Sequence, residues 1–351
     1  MSKANALAAV FTAAVLTMAS GAALSATSCK YAKFADWPAR LENGVLIVDG
    51  TINGKKIGIV LDTGTERSLI LRGSATRLGL PIQPIPGAKL IGISGETNVE
   101  AAQIDEFKIG DASRKDWGVI VVGDVDFGRS ADFILGEDFF RAVDVEFDLA
   151  HNAVRLFRGL DCESVSLAYW APNGAGQVDI AKVSDARPQI LFTVQLNGLA
   201  MQAVLDSGAP TSVVNLSDAA RAGVTTKTPG VVAIASGRGS GAGTIDSWVG
   251  PFASFTIGDE RIKDTTIRFA DLWKDAAPSD AGSRAASAAE SNPAMLLGTD
   301  FLRSHRVLVA HSQRKMYFTY AGGPVFSIDD PIELPPEAPA KDAAAKPKAA
   351  K

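Results

Sequence analysis

The sequence predicts an all-β protein, mostly strands with a few short helices, built as two similar lobes related by a pseudo-two-fold axis. Three observations predict this fold class. The chain of 351 residues contains an internal repeat, its apolar segments are short and end at turn residues, and glycine is frequent, with 33 residues. No long helical pattern alternates with the strands, which argues against a βαβ fold.

The repeat begins with an Asn-Gly pair and runs through an aspartate. The first copy reads NGKKIGIVLDTGTERSLI from Asn53, and the second reads NGLAMQAVLDSGAPTSVV from Asn197. Further matches follow in the same order, FKIGD with FTIGD and FILGEDFF with MLLGTDFL. Each copy therefore predicts one lobe, at residues 34–158 and 164–326.

Short apolar segments indicate the strands within each lobe. GVLIVDGTING and QILFTVQLNG both lead into Asn-Gly, which is a strong hairpin signal, and the segments KIGIVLD and MQAVLD follow. SATRLGL and SDAARAGV predict short helices that end at glycine. An Ala/Ser-rich insertion before MLLG in the second lobe predicts a surface loop.

Both terminal segments are expected to lie outside the lobes. Residues 1–25 combine Lys3, the apolar run ALAAVFTAAVLTMA and small residues suited to cleavage after Ser25. This pattern predicts a signal peptide and an exported protein, periplasmic or secreted, with an uncleaved membrane anchor as the alternative. Residues 327–351 are rich in Pro, Ala and Lys and predict a disordered tail, with a wall-facing extension as the alternative.

Charge and residue usage argue against several kinds of partner. Lys and Arg number 35 against 39 Asp and Glu, a net charge of −4, which disfavours a nucleic-acid binder. The three histidines show no ligand spacing with cysteine, so no metal is predicted. No helix is expected after the glycine-rich stretch VVAIASGRGSGAG, so no nucleotide cofactor is predicted either.

The two cysteines, Cys29 and Cys162, suggest a disulfide if the chain is exported. That bond would tie the mature N-terminus to the segment between the two repeats. Two free thiols are the alternative.

Asp62 and Asp206 each follow a buried-strand pattern and precede a small hydroxyl residue and a glycine. A single such aspartate would most simply cap a turn. In a duplicated chain, however, a two-fold axis near the turn would bring the two carboxyl groups together, and carboxylates about 3 Å apart share one proton. Such a pair can activate water and protonate a carbonyl, which hydrolyses an amide without a metal or a covalent intermediate.

These motifs resemble aspartic proteases of the retropepsin and pepsin type over nearly all of both lobes. The short and nearly equal lobes are most similar to two retropepsin-like units in tandem, as in bacterial exported members. The resemblance implies the bilobal acid-protease fold, with the active site between the lobes. It also implies an aspartic endopeptidase that takes a polypeptide substrate, needs no cofactor and works as a monomer.

Two alternatives to this reading remain at the sequence level. One is a non-catalytic exported peptide-binding protein that retains the fold. The other is a dimer in which the lobes pair between chains.

The resemblance assigns roles to particular residues. Asp62 and Asp206 match the catalytic pair. The residues that support the two catalytic loops are Thr63, Gly64, Thr65, Ser207 and Gly208. The apolar-apolar-Gly elements that support those loops are Ile134, Leu135, Gly136, Leu296, Leu297 and Gly298. The candidate flaps, 90–97 and 233–243, include Gly92, Ser94, Gly95, Ser236 and Gly237.

The two copies depart from one another, and from the pepsins, in informative places. Neither flap candidate contains the tyrosine typical of pepsins. Three residues after the aspartates stand Thr65 and Ala209, and only the first has a hydroxyl. We therefore expect Asp62 to be the more acidic partner and Asp206 to hold the shared proton more often.

Overall fold

A computed structural model of the chain describes residues 29–92, 95–123, 130–182, 188–238, 244–274 and 292–326. The predicted signal peptide, the predicted C-terminal tail and most of the Ala/Ser-rich insertion lie outside these residues. Within the described parts of the chain, no helix has the length and apolar character needed to cross a membrane.

The described part of the first half of the chain supplies ten strands and two short α helices. The strands are β1 Lys30–Glu42, β2 Val45–Ile52, β3 Lys55–Leu61, β4 Leu69–Leu71, β5 Ile82–Gly92, β6 Gly95–Ile109, β7 Ala112–Val122, β8 Phe133–Leu135, β9 Asp144–Asp148 and β10 Ala153–Leu160. The helices are α1 Arg72–Leu78 and α2 Glu137–Phe140, and a 3₁₀ turn covers Leu149–His151.

The described part of the second half repeats this set. Its strands are β11 Gly176–Asp179, β12 Leu191–Leu196, β13 Leu199–Leu205, β14 Val213–Asn215, β15 Val232–Arg238, β16 Thr244–Ile257, β17 Glu260–Ala270, β18 Met295–Leu297, β19 His305–Ala310 and β20 Lys315–Tyr320. Its helices are α3 Leu216–Arg221 and α4 Thr299–Ser304.

Both halves pair their strands in the same order. The first half reads β2-β3-β8-β4-β7-β6-β5, and the second reads β12-β13-β18-β14-β17-β16-β15. In each, the strand of the apolar-apolar-Gly element inserts between the strand before the aspartate and the strand after it, parallel to the former. The predicted mostly-β, two-lobed fold is confirmed.

The Asn-Gly hairpins form as the sequence predicts. Asn53 and Gly54 have φ angles of 49° and 75°, and Asn197 and Gly198 have 51° and 83°. Two successive positive φ angles match the right-handed twist of the flanking strands, and Asn followed by Gly adopts them at low cost.

A sheet shared by the lobes joins them, in the order β11-β20-β19-β9-β10-β1. Its central pair is β9 from the first lobe and β19 from the second, with Phe147 opposite Val307. Outward from this pair the two lobes contribute equivalent strands in the same order, β10 then β1 on one side and β20 then β11 on the other. The pseudo-two-fold axis therefore passes between β9 and β19. Cys29 and Cys162 are bonded to one another just beyond the paired ends of β1 and β10.

A buried carboxylate holds this shared sheet across the axis. Glu146 on β9 is fully buried. Its Oε1 accepts from Arg155 Nη1 on β10 at 2.5 Å and from Arg306 Nη2 on β19, in the other lobe, at 3.0 Å. Removing such a carboxylate is costly because both arginines lose a buried charged acceptor, which leaves Asp148 of the same strand, 2.8 Å from Arg155 and 3.6 Å from Arg306, to pair with both.

We expect Glu146→Ala to lower the free energy of unfolding by about 2 to 3 kcal/mol, since two half-buried arginines lose a charged acceptor. Urea denaturation followed by circular dichroism measures this. The matched control is Asp179→Ala, which removes the 88% exposed partner of Lys315 on the same sheet. The control should change the free energy of unfolding by less than about 1 kcal/mol. Equal effects of the two substitutions would show that the buried pair does not hold the sheet.

Candidate active site

Two loops meet where the lobes face each other. Loop one (62–68) follows β3, and loop two (206–212) follows β13. The amide of Asp62 donates to the Leu135 carbonyl at 3.0 Å, and the amide of Asp206 donates to the Leu297 carbonyl at 2.9 Å. The inserted strands β8 and β18 therefore fix the point at which each aspartate leaves its strand.

The two loops are locked together by a reciprocal set of four hydrogen bonds. Thr63 Oγ1 donates to the Leu205 carbonyl at 2.8 Å and accepts from the Ser207 amide at 3.0 Å. Ser207 Oγ donates to the Leu61 carbonyl at 2.8 Å and accepts from the Thr63 amide at 3.0 Å. Both side chains have no exposed surface, so no water competes for these bonds.

Backbone amides hold each carboxyl group in place. Asp62 Oδ1 accepts from the amides of Gly64 at 2.9 Å and Thr65 at 3.0 Å. Asp206 Oδ1 accepts from the amides of Gly208 and Ala209, both at 3.0 Å. Oδ2 of Asp62 also accepts from the Thr65 hydroxyl at 2.8 Å, a bond that Ala209 is unable to supply to Asp206.

Each carboxyl group packs on the glycine of the opposite loop. A Cβ added to Gly64 would lie 2.4 Å from Asp206 Cγ, and one added to Gly208 would lie 2.3 Å from Asp62 Cγ. Neither glycine is among the described residues with positive φ. The resemblance gave these glycines a general role in supporting the loops. Their amides bind the carboxyl groups of their own loops, but glycine itself is needed because the other lobe's carboxyl group occupies the space of a side chain.

The electrostatics of the two carboxyl groups differ. Burial raises the pKa of Asp206, and the neighbouring Asp62 charge raises it further, to about 8. Burial also raises the pKa of Asp62, but hydrogen bonds from Thr65 and Gly64 oppose that rise. These effects favour protonation of Asp206 over protonation of Asp62, which agrees with the expectation that Asp206 holds the shared proton.

The apolar-apolar-Gly elements support the loops by close backbone contact. A Cβ on Gly136 would lie 2.7 Å from the Thr65 carbonyl oxygen, and one on Gly298 would lie 2.8 Å from that of Ala209. The four apolar residues Ile134, Leu135, Leu296 and Leu297 are all buried.

Sequence reasoning missed a second pair of supporting contacts. Asp138 accepts from the amide and hydroxyl of Ser68 in lobe one. Asp300 accepts from the amide and hydroxyl of Ser212 in lobe two. These serines in turn accept from the amides of Gly136 and Gly298, respectively, at 3.1 and 2.9 Å. The repeated Gly-x-Asp-Phe in the two copies was the signal that could have identified the aspartates.

The flap candidates lie on hairpins. Gly92 at the end of β5 pairs with Gly95 at the start of β6, and Gly237 in β15 pairs with Ile245 in β16. Ser236 is also in β15, whereas Ser94 lies outside the described residues. A strand follows the glycine-rich stretch of the second flap, where a dinucleotide loop would need a helix. In the described ranges, no three His, Cys, Asp or Glu side chains are grouped so that they could hold a metal ion.

A family model described as aspartyl protease matches the chain twice, at residues 48–139 and 192–301. Each match contains one of the two loops. No curated protein matches the chain.

Solved structures similar to this chain include two aspartic proteases. A retropepsin-like aspartic protease from Rickettsia conorii is 20% identical, with a TM-score of 0.27, over 38% of this chain and 95% of that one. An aspartic proteinase from Irpex lacteus is 11% identical, with a TM-score of 0.46, over 84% of this chain and 97% of that one.

We expect Gly64→Ala to destabilise the protein by about 1 to 3 kcal/mol, because the new methyl group collides with Asp206 and the interlocked loops leave little room to relax. Thermal or urea unfolding measures this. Gly73→Ala is the matched control, since a Cβ at Gly73 in α1 meets nothing within 4 Å. The control should be neutral or stabilising by up to about 1 kcal/mol. A Gly64→Ala protein as stable as the parent would contradict the packing described here.

Proposed function

We propose that this chain, which belongs to the aspartyl protease family, is an endopeptidase. Its proposed reacting groups are Asp62 and Asp206. The observation that carries the proposal is the pair of buried carboxyl groups, each bound by two amides of its own loop and packed on the glycine of the other. Two such groups in contact share one proton, which gives the site a base and an acid at the same pH.

In the proposed reaction a water molecule binds between the two carboxyl groups. Ionised Asp62 accepts a proton from this water while the water oxygen attacks the carbonyl carbon of the scissile peptide. Protonated Asp206 donates its proton to the carbonyl oxygen, which gives a neutral tetrahedral diol. Asp62 then returns its proton to the departing nitrogen while a hydroxyl of the diol gives its proton to Asp206. The C–N bond breaks, an acid and an amine leave, and both carboxyl groups regain their starting protonation states.

The proposed substrate is a polypeptide bound in extended form between the lobes, where strand-like pairing with the flap hairpins would give affinity with little side-chain selectivity. Both loops come from one chain, which supports a monomer with an internal pseudo-dimer over a site shared between chains. Retention of both aspartates and all of their amide donors argues against a peptide-binding protein without activity. The sequence pattern of residues 1–25 supports action outside the cytoplasm.

Asp62→Asn and Asp206→Asn should each lower kcat/KM for peptide cleavage by about a thousandfold or more, because an amide can neither accept the water proton nor deliver one. The mature protein is incubated with a peptide library at mildly acidic to neutral pH, and products are counted by mass spectrometry. Asp49→Asn, at an 83% exposed carboxylate, is the control and should cleave like the parent. Full activity in either of the first two variants would refute the pair.

Thr65→Ala should shift the acid limb of the pH–rate profile upward by roughly one unit. The Thr65 hydroxyl stabilises the charged form of Asp62 and so lowers the pKa of that carboxyl group. Without this bond the pKa of Asp62 rises, and less of the base is ionised at low pH. Thr65→Ser, which keeps the hydroxyl, should leave the limb close to its original position. An acid limb unmoved by Thr65→Ala would show that the bond does not tune Asp62.

A further inference from the structure

A third carboxyl group lies against loop one, within electrostatic reach of Asp62, and has no role in the reaction just described. Glu137 is the first residue of α2, directly after Gly136, and its side chain has no exposed surface. Neither of its carboxyl oxygens has a hydrogen-bond partner among the residues that the structure describes. An ionised carboxylate without a partner is strongly disfavoured in such a place, whereas a protonated one is tolerated.

Glu137 is attached directly to loop one. Its amide donates to the Thr65 carbonyl at 2.9 Å, which is the same carbonyl oxygen that leaves no space for a side chain at Gly136. Three charged groups act on its carboxyl: Asp62 on loop one, and Asp138 and Arg141 on or next to its own helix. Burial raises the pKa of Glu137 well above its usual value, Asp62 and Asp138 raise it further, and Arg141 opposes them.

The second lobe shows how a neutral side chain acts at the position equivalent to Glu137. The equivalent residue is Thr299, the first residue of α4, and its hydroxyl donates to the Ser207 carbonyl at 3.0 Å. The repeat makes Thr63 the counterpart of Ser207. In lobe two, therefore, a neutral hydrogen-bond donor at this position binds the backbone of loop two. In lobe one the same position carries an acid, which is a donor only while it is protonated.

We propose that Glu137 is a positioning residue that stays a neutral carboxylic acid while the enzyme works, and that its proton is lost before that of Asp206 and so sets the alkaline limit of the reaction. This inference rests on the proposed function. With Glu137 neutral, the three carboxyl groups hold two protons and one negative charge, on Asp62. Ionised Glu137 would add a second buried charge beside Asp62 and remove a potential donor to loop one.

The consequence for stability has a definite sign. Below the pKa of an unfolded glutamate, about 4.3, both states hold the proton and the ionisation of Glu137 makes no contribution to stability. As the pH rises above that value, the unfolded chain releases the proton while the folded protein retains it, so folding is progressively disfavoured up to the pKa of the folded state. Replacement by glutamine removes this penalty and leaves a side chain of nearly the same shape.

The experiment compares Glu137→Gln with the parent protein in two measurements. Thermal unfolding without substrate, from about pH 4 to about pH 8, should show a difference in Tm in favour of the variant that grows as the pH rises. The pH–rate profile of peptide cleavage should keep its acid limb in place, while its alkaline limb moves upward by about one unit.

Two further variants serve as controls. Glu66→Gln removes an exposed glutamate of loop one whose side chain accepts from Gln189. This variant should show no Tm difference from the parent that grows with pH, and it should leave the alkaline limb in place. Glu137→Thr introduces the residue found at this position in the second lobe. If glutamine perturbs the fold, Glu137→Thr should still show a Tm difference from the parent that grows as the pH rises.

A Tm difference that is independent of pH, or an alkaline limb that stays in place, would overturn the proposal. A downward shift of the acid limb in Glu137→Gln would also overturn it, because it would mean that Glu137 is ionised in the working enzyme. An inactive parent protein would refute the proposed function, yet the unfolding measurements would still test whether Glu137 is a buried neutral acid.

Discussion

The hydroxyl groups of Thr63 and Ser207 form the constraint on which the rest of the site depends. Each donates to a carbonyl of the other lobe and accepts from an amide of the other loop, in a place without water. This exchange brings two aspartates that lie far apart in sequence to the pseudo-two-fold axis. Each carboxyl group then rests on the opposite glycine. Burial and mutual repulsion follow from that contact, and together they make one shared proton the favoured state.

The lobes agree in backbone and differ in chemistry. Strand order, Asn-Gly turns and amide donors are repeated, because they build the frame. Two differences sit next to the carboxyl pair. Thr65 has a hydroxyl where Ala209 has none, and Glu137 stands where the second lobe has Thr299. A symmetric pair would leave the proton equally on either side, whereas these differences direct it towards Asp206 and assign separate roles to two identical side chains.

The sequence predicted the features that a repeat can reveal and missed those that depend on where the copies meet. Asn53 and Asn197 marked the hairpins, and the pairing of Asp62 with Asp206 was inferred from duplication alone. The β9–β19 pair was not foreseen, since similarity between two copies does not say which strands join them. Glu137 was missed because an acidic residue in a sequence ordinarily indicates a solvated surface, and only packing shows that it is buried.

The central claim is that contact between Asp62 and Asp206 keeps one of them protonated where an isolated aspartate would be ionised. A carbon-13 NMR titration of carboxyl-labelled aspartate, in the parent protein and in Asp62→Asn, tests it directly. The parent should retain one protonated aspartate of the pair up to about pH 8. In Asp62→Asn the Asp206 proton should be lost at lower pH, because the neighbouring negative charge is gone. Two carboxyl groups that both titrate near pH 4 in the parent would contradict the account.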